Sequence, residues 1–238
     1  HSAHDVAQFG IQYAEPTIDL PNFRAKQFKI VDTMASHLLE LCKRRDVKHI
    51  SGRGTFTDAH TIQVENGPQV RFEHGIIASG SIPTKIPAFD LGSPNIWDST
   101  AALKLESIPK SLLVVGGGYI GLELGTVYAA LGSKVTVVEL TPSLLPGVDP
   151  DLVQPLQARL KNEFASIFLS TKVATLAEAK GGIQVTLEGD VPEKQMTFEK
   201  VLVAVGRRPN SANFGLDKIG IAVDDKGFIQ VNEQRRTS

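Results

Sequence analysis

Residues 114–125 read Val-Val-Gly-Gly-Gly-Tyr-Ile-Gly-Leu-Glu-Leu-Gly, and Gly116, Gly118 and Gly121 fall at the spacing G-x-G-x-x-G. Bare backbone at those positions can turn sharply, approach an anion and let a helix pack closely on a strand. Gly116 is assigned the tight turn, Gly118 the approach to a pyrophosphate, and Gly121 the strand–helix packing. The pattern alone is weak. Here it follows an apolar run, Ser111 to Val115, and opens an apolar helix, which is the context that phosphate binding requires. The helix N-terminus would then offer N–H groups and the positive end of its dipole to the phosphates. Glycines serving only a strand–helix turn are the competing explanation, and the flanking elements make it the poorer one.

Glu139 ends the next apolar run, 18 residues beyond Gly121, close to the ~20 expected of an acid that binds ribose. Its carboxylate can accept both ribose hydroxyls of NAD and would repel the 2′-phosphate of NADP. No Arg or Lys follows before Arg159 to neutralise such a phosphate, so NAD is expected rather than NADP. A third signal is Val203-Ala204-Val205-Gly206-Arg207-Arg208-Pro209-Asn210. An apolar strand stopped by glycine at the carboxyl edge of a parallel sheet is where ligands of open α/β folds bind. Gly206 could bring backbone near the nicotinamide end. Taken alone, Arg207 and Arg208 read as well as simple solvated charges or a salt bridge as they do as part of the site.

The elements that must carry these residues follow from periodicity. Ser111–Val115 and Val201–Val205 are continuous apolar runs, of the kind buried on both faces of a parallel sheet. A helix is expected to about Leu131 with Ile120, Leu124, Val127 and Leu131 on one face, followed by a strand over Lys134–Val138. Asp149 and Pro150 read as N-cap and first residue of a helix reaching Phe164, with a kink or late start at Pro155. Thr171–Glu188 reads as a hairpin turning at Gly181-Gly182, with a third strand over Gln195–Glu199. Upstream, a long helix is expected over Asn22–Arg45, with Phe28, Val31, Met34, Leu38, Leu41 and Cys42 at spacings of three and four. Strands are expected at Lys48–Ser51, Thr61–Glu65 and Val70–Ala78, and short extended pieces at Ile219–Val231. Pro83, Pro87 and Pro94 mark a connector.

Composition narrows the function. Lys and Arg total 25 against 26 for Asp and Glu, which gives no general electrostatic hold on nucleic acid or anionic lipid. The run Leu112–Gly132 is apolar but holds six glycines and Glu123, costly features for a membrane span. Cys42 is the one cysteine, so neither an internal disulfide nor a Cys-rich metal site can form. It is read as a core thiol, and Trp97 as packing. The six histidines are scattered, His1 and His4 sharing a helical spacing at the terminus. No metal ligands are assigned. The chain opens at His1 rather than Met, so its true start and any targeting segment are expected to lie outside it.

The run Leu112–Leu140, the Gly206-Arg207-Arg208-Pro209-Asn210 segment and Ile76-Ile77-Ala78-Ser79-Gly80-Ser81 together resemble the flavin- and pyridine-nucleotide-dependent disulfide oxidoreductases, in particular their dihydrolipoamide dehydrogenase branch. Gly52-Arg53-Gly54-Thr55-Phe56 and Gly227-Phe228-Ile229-Gln230-Val231 extend the likeness over nearly the whole chain. The resemblance implies an α/β fold: a Rossmann-like dinucleotide-binding domain with an antiparallel β-meander crossover, plus an incomplete FAD-binding domain. Residues 1–98 would be part of the FAD domain, 99–225 the NAD domain, and 226–238 the return into the FAD domain. For NAD it implies Gly116, Gly117, Gly118, Tyr119, Ile120, Gly121 and Glu123 around the pyrophosphate and nicotinamide, Glu139 at the ribose, Val173 at adenine, and Gly206 with Arg207 near the nicotinamide half. For FAD it implies Gly54, Ser79, Gly80 and Ser81, with Ser79 standing where threonine is more usual.

The same resemblance implies parts that this chain lacks: a first G-x-G-x-x-G for FAD, a C-x-x-x-x-C disulfide, a Gly-Asp for the ribityl chain, and a His–Glu dyad in a dimerisation domain. No catalytic residue is therefore assigned, and the chain is expected to be an internal fragment, inactive alone. In the whole enzyme, dihydrolipoyl thiols on the lipoyl-carrying acyltransferase of a 2-oxoacid dehydrogenase complex would reduce a disulfide, then FAD, with hydride passing to NAD. A homodimer in the bacterial cytoplasm is expected, with the mitochondrial matrix as the other compartment. Two readings stay beside it: a related flavoprotein such as a soluble transhydrogenase or an NADH oxidase or peroxidase, and a non-enzymatic module built on a dinucleotide fold.

Overall fold

The computed structural model describes residues 9–12, 14 and 16–238, and His1 and His4 lie outside them. The chain forms two compact units, one of residues up to 28 with 83–206, the other of 29–82 with 207–238. These divisions differ from the boundaries expected at 98 and 225. Residues 83–98 go with the parallel sheet because they supply one of its strands, and 207–225 go with the other unit because Phe214 packs against Phe56.

Helix α1 spans Leu20–Arg44 and begins within the first unit. None of its residues is buried. Phe28, Val31, Met34, Leu38 and Leu41 are exposed despite their helical spacing, and Cys42 is half-buried. The core-thiol reading is therefore corrected: amphipathic spacing made the helix, and Leu20 at its start packs against the core, but the apolar face from Phe28 to Leu41 stays exposed.

The second unit holds a three-stranded antiparallel sheet, β1 (Gly54–Asp58), β2 (Thr61–Val64) and β3 (Gln69–Arg71), in that order. Phe56 anchors it, with the Phe72 ring edge-on at 6.1 Å and Phe214 at 6.3 Å. The strand expected at Lys48–Ser51 does not form, and β3 stops at Arg71 rather than reaching Ala78. Ile76 is 96% exposed, so the apolar run beyond β3 lacks the neighbouring strand that would make it one. Strand β4 (Ser81–Pro83) closes this stretch.

The first unit is built on a parallel sheet. After the short strand β5 (Ile96–Trp97) come helix α2 (Ser99–Leu103), strand β6 (Ser111–Val115), helix α3 (Tyr119–Ala130) and strand β7 (Lys134–Val138). Helix α4 (Pro150–Glu163) leads into β8 (Ser166–Phe168). An antiparallel meander follows, β9 (Lys172–Ala179), β10 (Gly182–Glu188) and β11 (Gln195–Phe198), and β12 (Lys200–Val203) returns to the sheet. The sheet order is β5-β12-β6-β7-β8, every pair parallel.

Alternation along β6 shows how this sheet is covered. Leu112 and Val114 enter a core with Leu122, Leu124 and Tyr128 of α3, whereas Leu113 and Val115 enter a second core with Val173, Ile183 and Val185 of the meander. Helices thus cover one face and the meander the other, which is why β6 is apolar from Leu112 to Val115. Helix α3 buries Gly121, Leu122, Leu124, Gly125 and Tyr128. Ile120, Leu124 and Leu131 pack in this core as expected, whereas Val127 is exposed and Leu122 and Tyr128 are buried beside them. Glycines fix the true face: a side chain at Gly125 would press on the Phe164 ring at 3.1 Å. Pro155 lies inside α4 without a break. It is exposed, and the carbonyl it leaves free belongs to exposed Asp151, where water can satisfy it. Asp149 occupies the N-cap, but its side chain makes no capping bond.

Beyond residue 206, β13 (Arg207–Pro209) pairs with β4 in a two-stranded sheet. The stretch expected to be extended, Ile219–Val231, instead starts at the end of a 3₁₀ turn, Asp217–Ile219, and holds a single isolated bridge between Val223 and Ile229.

Candidate dinucleotide site at the carboxyl edge of the parallel sheet

The loop between β6 and α3 leaves the sheet at its carboxyl edge. Gly116 has φ +107°, and a Cβ there would sit 2.5 Å from the Ala204 carbonyl oxygen. The turn therefore demands glycine both for its dihedral and for its closeness to the neighbouring strand end. A Cβ at Gly121 would overlap the Gly116 carbonyl oxygen and lie 2.9 Å from Val114 Cγ1, so helix and strand are in contact there. Gly118 differs from both. Its backbone is extended (φ −76°, ψ 172°) and a Cβ would meet nothing within 4 Å. The space in front of it is open, and the N–H groups of Gly118, Tyr119 and Ile120 take no acceptor among the described residues. Free amides at a helix start facing open space suit an anion.

Glu139 follows β7 directly, is only 7% exposed, and has its carboxylate turned toward the glycine loop. Oε2 accepts the Gly117 N–H at 2.6 Å, while Oε1 accepts the Thr141 N–H and hydroxyl, both at 2.8 Å. The Gly117 carbonyl in turn accepts the Leu145 N–H at 2.9 Å, and the fully buried Leu144 packs where a Gly117 side chain would go. The segment 139–145 is thus a brace on the glycine loop. Thr141 and Leu144 support the candidate loop without belonging to its motif, because Thr-Pro-Ser reads as an ordinary turn.

The remaining residues are distributed as follows. Tyr119 and Glu123 are exposed on α3 and Ile120 is half-buried. No Lys–Glu123 ion pair occurs among the described residues. The Val173 side chain is buried in the meander-side core. Gly206 has φ +116° with open space where a side chain would be, and its carbonyl accepts the Thr84 N–H at 3.0 Å. In the first unit a cavity of about 230 Å³ opens at the carboxyl ends of β5 and β12, lined by Phe89, Trp97, Asp98 and Val203. It includes neither the glycine loop nor Glu139.

In the second unit, Gly54 lies half-buried on β1 and Ser79, Gly80 and Ser81 form an exposed turn. Strand β13 holds that turn. The Arg207 Nε donates to Ser81 Oγ at 2.8 Å and its Nη2 to the Ser81 carbonyl. Asn210 donates from its backbone to the Gly80 carbonyl at 2.9 Å and from Nδ2 to the Ser79 carbonyl at 3.1 Å. The Arg207 side chain is therefore committed to Ser81. Among the described residues, no group of three or more His, Cys, Asp or Glu is placed to hold a metal ion. No helix among them is long and apolar enough to cross a membrane.

Comparison with known proteins places this geometry. The family model described as pyridine nucleotide-disulphide oxidoreductase matches residues 3–238. The dihydrolipoyl dehydrogenase of Haemophilus influenzae is 42% identical over 233 residues, 96% of this chain and 48% of that protein. The dihydrolipoyl dehydrogenase of Geobacillus stearothermophilus is 38% identical, over 97% of this chain and 50% of its own length. Among solved structures, the HOCl-induced flavoprotein disulfide reductase RclA from Escherichia coli superposes with a TM-score of 0.81 at 25% identity, over 99% of this chain and 52% of that one. The chain spans about half the length of the curated relatives it matches.

Proposed function

The chain belongs to the pyridine nucleotide-disulphide oxidoreductase family, and from that premise we propose that it is the NAD-binding portion of a dihydrolipoyl dehydrogenase, carried with part of its FAD domain. The observation that carries this reading is the pairing of an open, amide-lined glycine loop with a buried acid at the end of the next strand. The Gly118, Tyr119 and Ile120 N–H groups would hold the pyrophosphate, and Glu139 the adenosine ribose. Gly206, with no side chain and open space before it, would lie against the nicotinamide half, near exposed Glu123. The Ser79–Ser81 turn, with Gly54, would meet FAD.

The two cofactors would supply hydride transfer, and this chain would bind and orient them. The thiol–disulfide step needs cysteines that this chain does not contain. It would therefore not oxidise dihydrolipoamide by itself. The whole protein would take electrons from the lipoyl-carrying acyltransferase of a 2-oxoacid dehydrogenase complex, act as a homodimer, and work in the cytoplasm, in keeping with the bacterial relatives.

The test uses the full-length parent. It should carry FAD and reduce NAD⁺ with dihydrolipoamide, and Glu139→Ala should raise KM for NAD⁺ about tenfold to a hundredfold, the loss of one or two hydrogen bonds to a charged group. Flavin content should be unchanged. A parent without flavin, or a Glu139→Ala enzyme with unaltered KM for NAD⁺, would overturn the proposal.

A further inference from the structure

Thr141 stands beside the acid with a choice of partners. Its Oγ1 is 2.8 Å from Glu139 Oε1 and also 2.8 Å from the Ser143 carbonyl oxygen. A hydroxyl carries one proton and can donate to only one of them at a time. The carboxylate oxygen is the stronger acceptor because hydrogen bonds to ionised groups are the stronger ones. At rest, then, the Thr141 hydroxyl and N–H both occupy Oε1, and the Gly117 N–H occupies one side of Oε2. A carboxylate has about four acceptor positions. With three filled, Glu139 can take one ribose hydroxyl and not the two that a bidentate grip requires.

We propose that the Thr141 hydroxyl is a displaceable guard on Glu139. The inference rests on the NAD reading of the site. When a ribose diol arrives, one hydroxyl donates to the open position of Oε2 and the other takes Oε1. The Thr141 proton then swings to the Ser143 carbonyl. Both acceptors lie at the same distance from a fixed Oγ1, so only the proton moves; no covalent bond is made or broken. Meanwhile the Thr141 N–H stays on Oε1 and keeps the carboxylate aimed. The guard keeps the buried acid satisfied in the free protein and takes a share of the binding affinity in return.

The sign of the effect separates this role from a structural one. Removing a residue that merely supports Glu139 weakens NADH binding, whereas removing a competitor strengthens it. In the full-length parent, Thr141→Val should lower the Kd for NADH about two- to fivefold, one modest net hydrogen bond. Thr141→Ser, which retains the hydroxyl, should stay within about twofold of the unaltered protein, the size of a fraction of such a bond. Against a dinucleotide whose adenosine ribose lacks both hydroxyls, Thr141→Val and the unaltered protein should bind equally. Thr141→Ala provides a second variant without the hydroxyl should valine fail to fold.

Weaker or unchanged NADH binding in the variant that lacks the hydroxyl would overturn the guard, as would equal tightening for the dideoxy dinucleotide. Glu139→Ala distinguishes the two levels of failure. If it leaves NADH affinity unchanged, the NAD reading itself is wrong. If it weakens NADH while the Thr141 variants fail to tighten it, the NAD reading stands and the guard falls.

Discussion

Replacing Gly118 or Gly121 with alanine adds the same methyl group three residues apart, into opposite surroundings. At Gly121 the methyl would overlap the Gly116 carbonyl oxygen and press Val114 Cγ1 at 2.9 Å. The carbonyl is backbone and cannot swing aside. Alanine regains about 1 kcal/mol of helix propensity over glycine, but overpacking of this kind costs about 1–3 kcal/mol, so the clash dominates. Thermal unfolding of this chain should fall by about 2–8 °C. At Gly118 the methyl would meet no atom of the chain within 4 Å, and the φ of −76° is one that alanine adopts freely. Stability should change by no more than about 0.5–1 kcal/mol, the difference between glycine and alanine at an N-cap. The same methyl would project into the space assigned to the pyrophosphate, and NADH affinity should drop about tenfold to a hundredfold. Calorimetry of unfolding and titration with NADH, on both variants, read the two quantities separately. A Gly118→Ala protein that is stable and binds NADH normally would refute the reasoning, because no phosphate could then lie against Gly118.

Tyr128 is fully buried and donates its hydroxyl to the Ala102 carbonyl at 2.8 Å, tying α3 to α2. Tyr128→Phe should cost about 0.5–1.5 kcal/mol, measured by denaturant unfolding. Burial, with the Glu106 charge adding to it, pushes the Tyr128 phenol from 10.0 up to about 12. The folded state therefore holds this proton more tightly than the unfolded one, and the resulting stability is full below about pH 10 and lost as pH rises toward 12. Unfolding midpoints of Tyr128→Phe should accordingly fall less steeply than those of the unaltered chain across that window. Asp98 caps α2 by accepting the Ala101 N–H at 2.8 Å, and Asp98→Ala should lower stability by about 1 kcal/mol in the same assay. Arg207→Ala removes both bonds to Ser81 and should release flavin from the full-length parent without changing NADH affinity. Equal loss of both would place Arg207 at the NAD site after all.

What the sequence disclosed depended on whether the burial of an element is decided locally. Strands β6 and β12 were legible because a strand covered on both faces has few polar positions, and the apolar run itself is the signal; in β7 only Thr136 interrupts the run after Lys134. The α1 helix was legible for its spacing, yet its burial was not, since Met34 and Leu38 would look the same with or without a partner. Strand β1 escaped notice because Gly-Thr-Phe-Thr-Asp has one anchoring side chain, Phe56, whose partners Phe72 and Phe214 are distant in sequence. The opposite error arose at Ile76-Ile77-Ala78, where β propensity is high but, among the described residues, no strand pairs with it. In α3 nearly every position is apolar, so periodicity could not choose a face; Gly121 and Gly125 chose it by letting the helix approach β6 and the Phe164 ring.

The candidate site divides along the same line. Glycine spacing and the distance to Glu139 are local facts, and together they point to one loop at the sheet edge. What local facts could not convey is that the acid and the loop are mechanically one part. Glu139 holds Gly117 by its N–H, Leu145 holds it by its carbonyl, and Leu144 fills the space beside it. A shift of the 139–145 segment must therefore move the glycine loop, so the open loop amides and the Glu139 carboxylate keep their separation. For a dinucleotide, whose pyrophosphate and ribose are joined at fixed length, that separation governs binding more than the placement of either group alone. Substitutions in the brace, such as Leu144→Ala, should for this reason weaken NADH more than they weaken a phosphate alone. Titrating the full-length parent with NADH and with inorganic pyrophosphate distinguishes the cases: a parallel loss for both ligands would mean that the brace supports the loop's shape and not its distance from the acid.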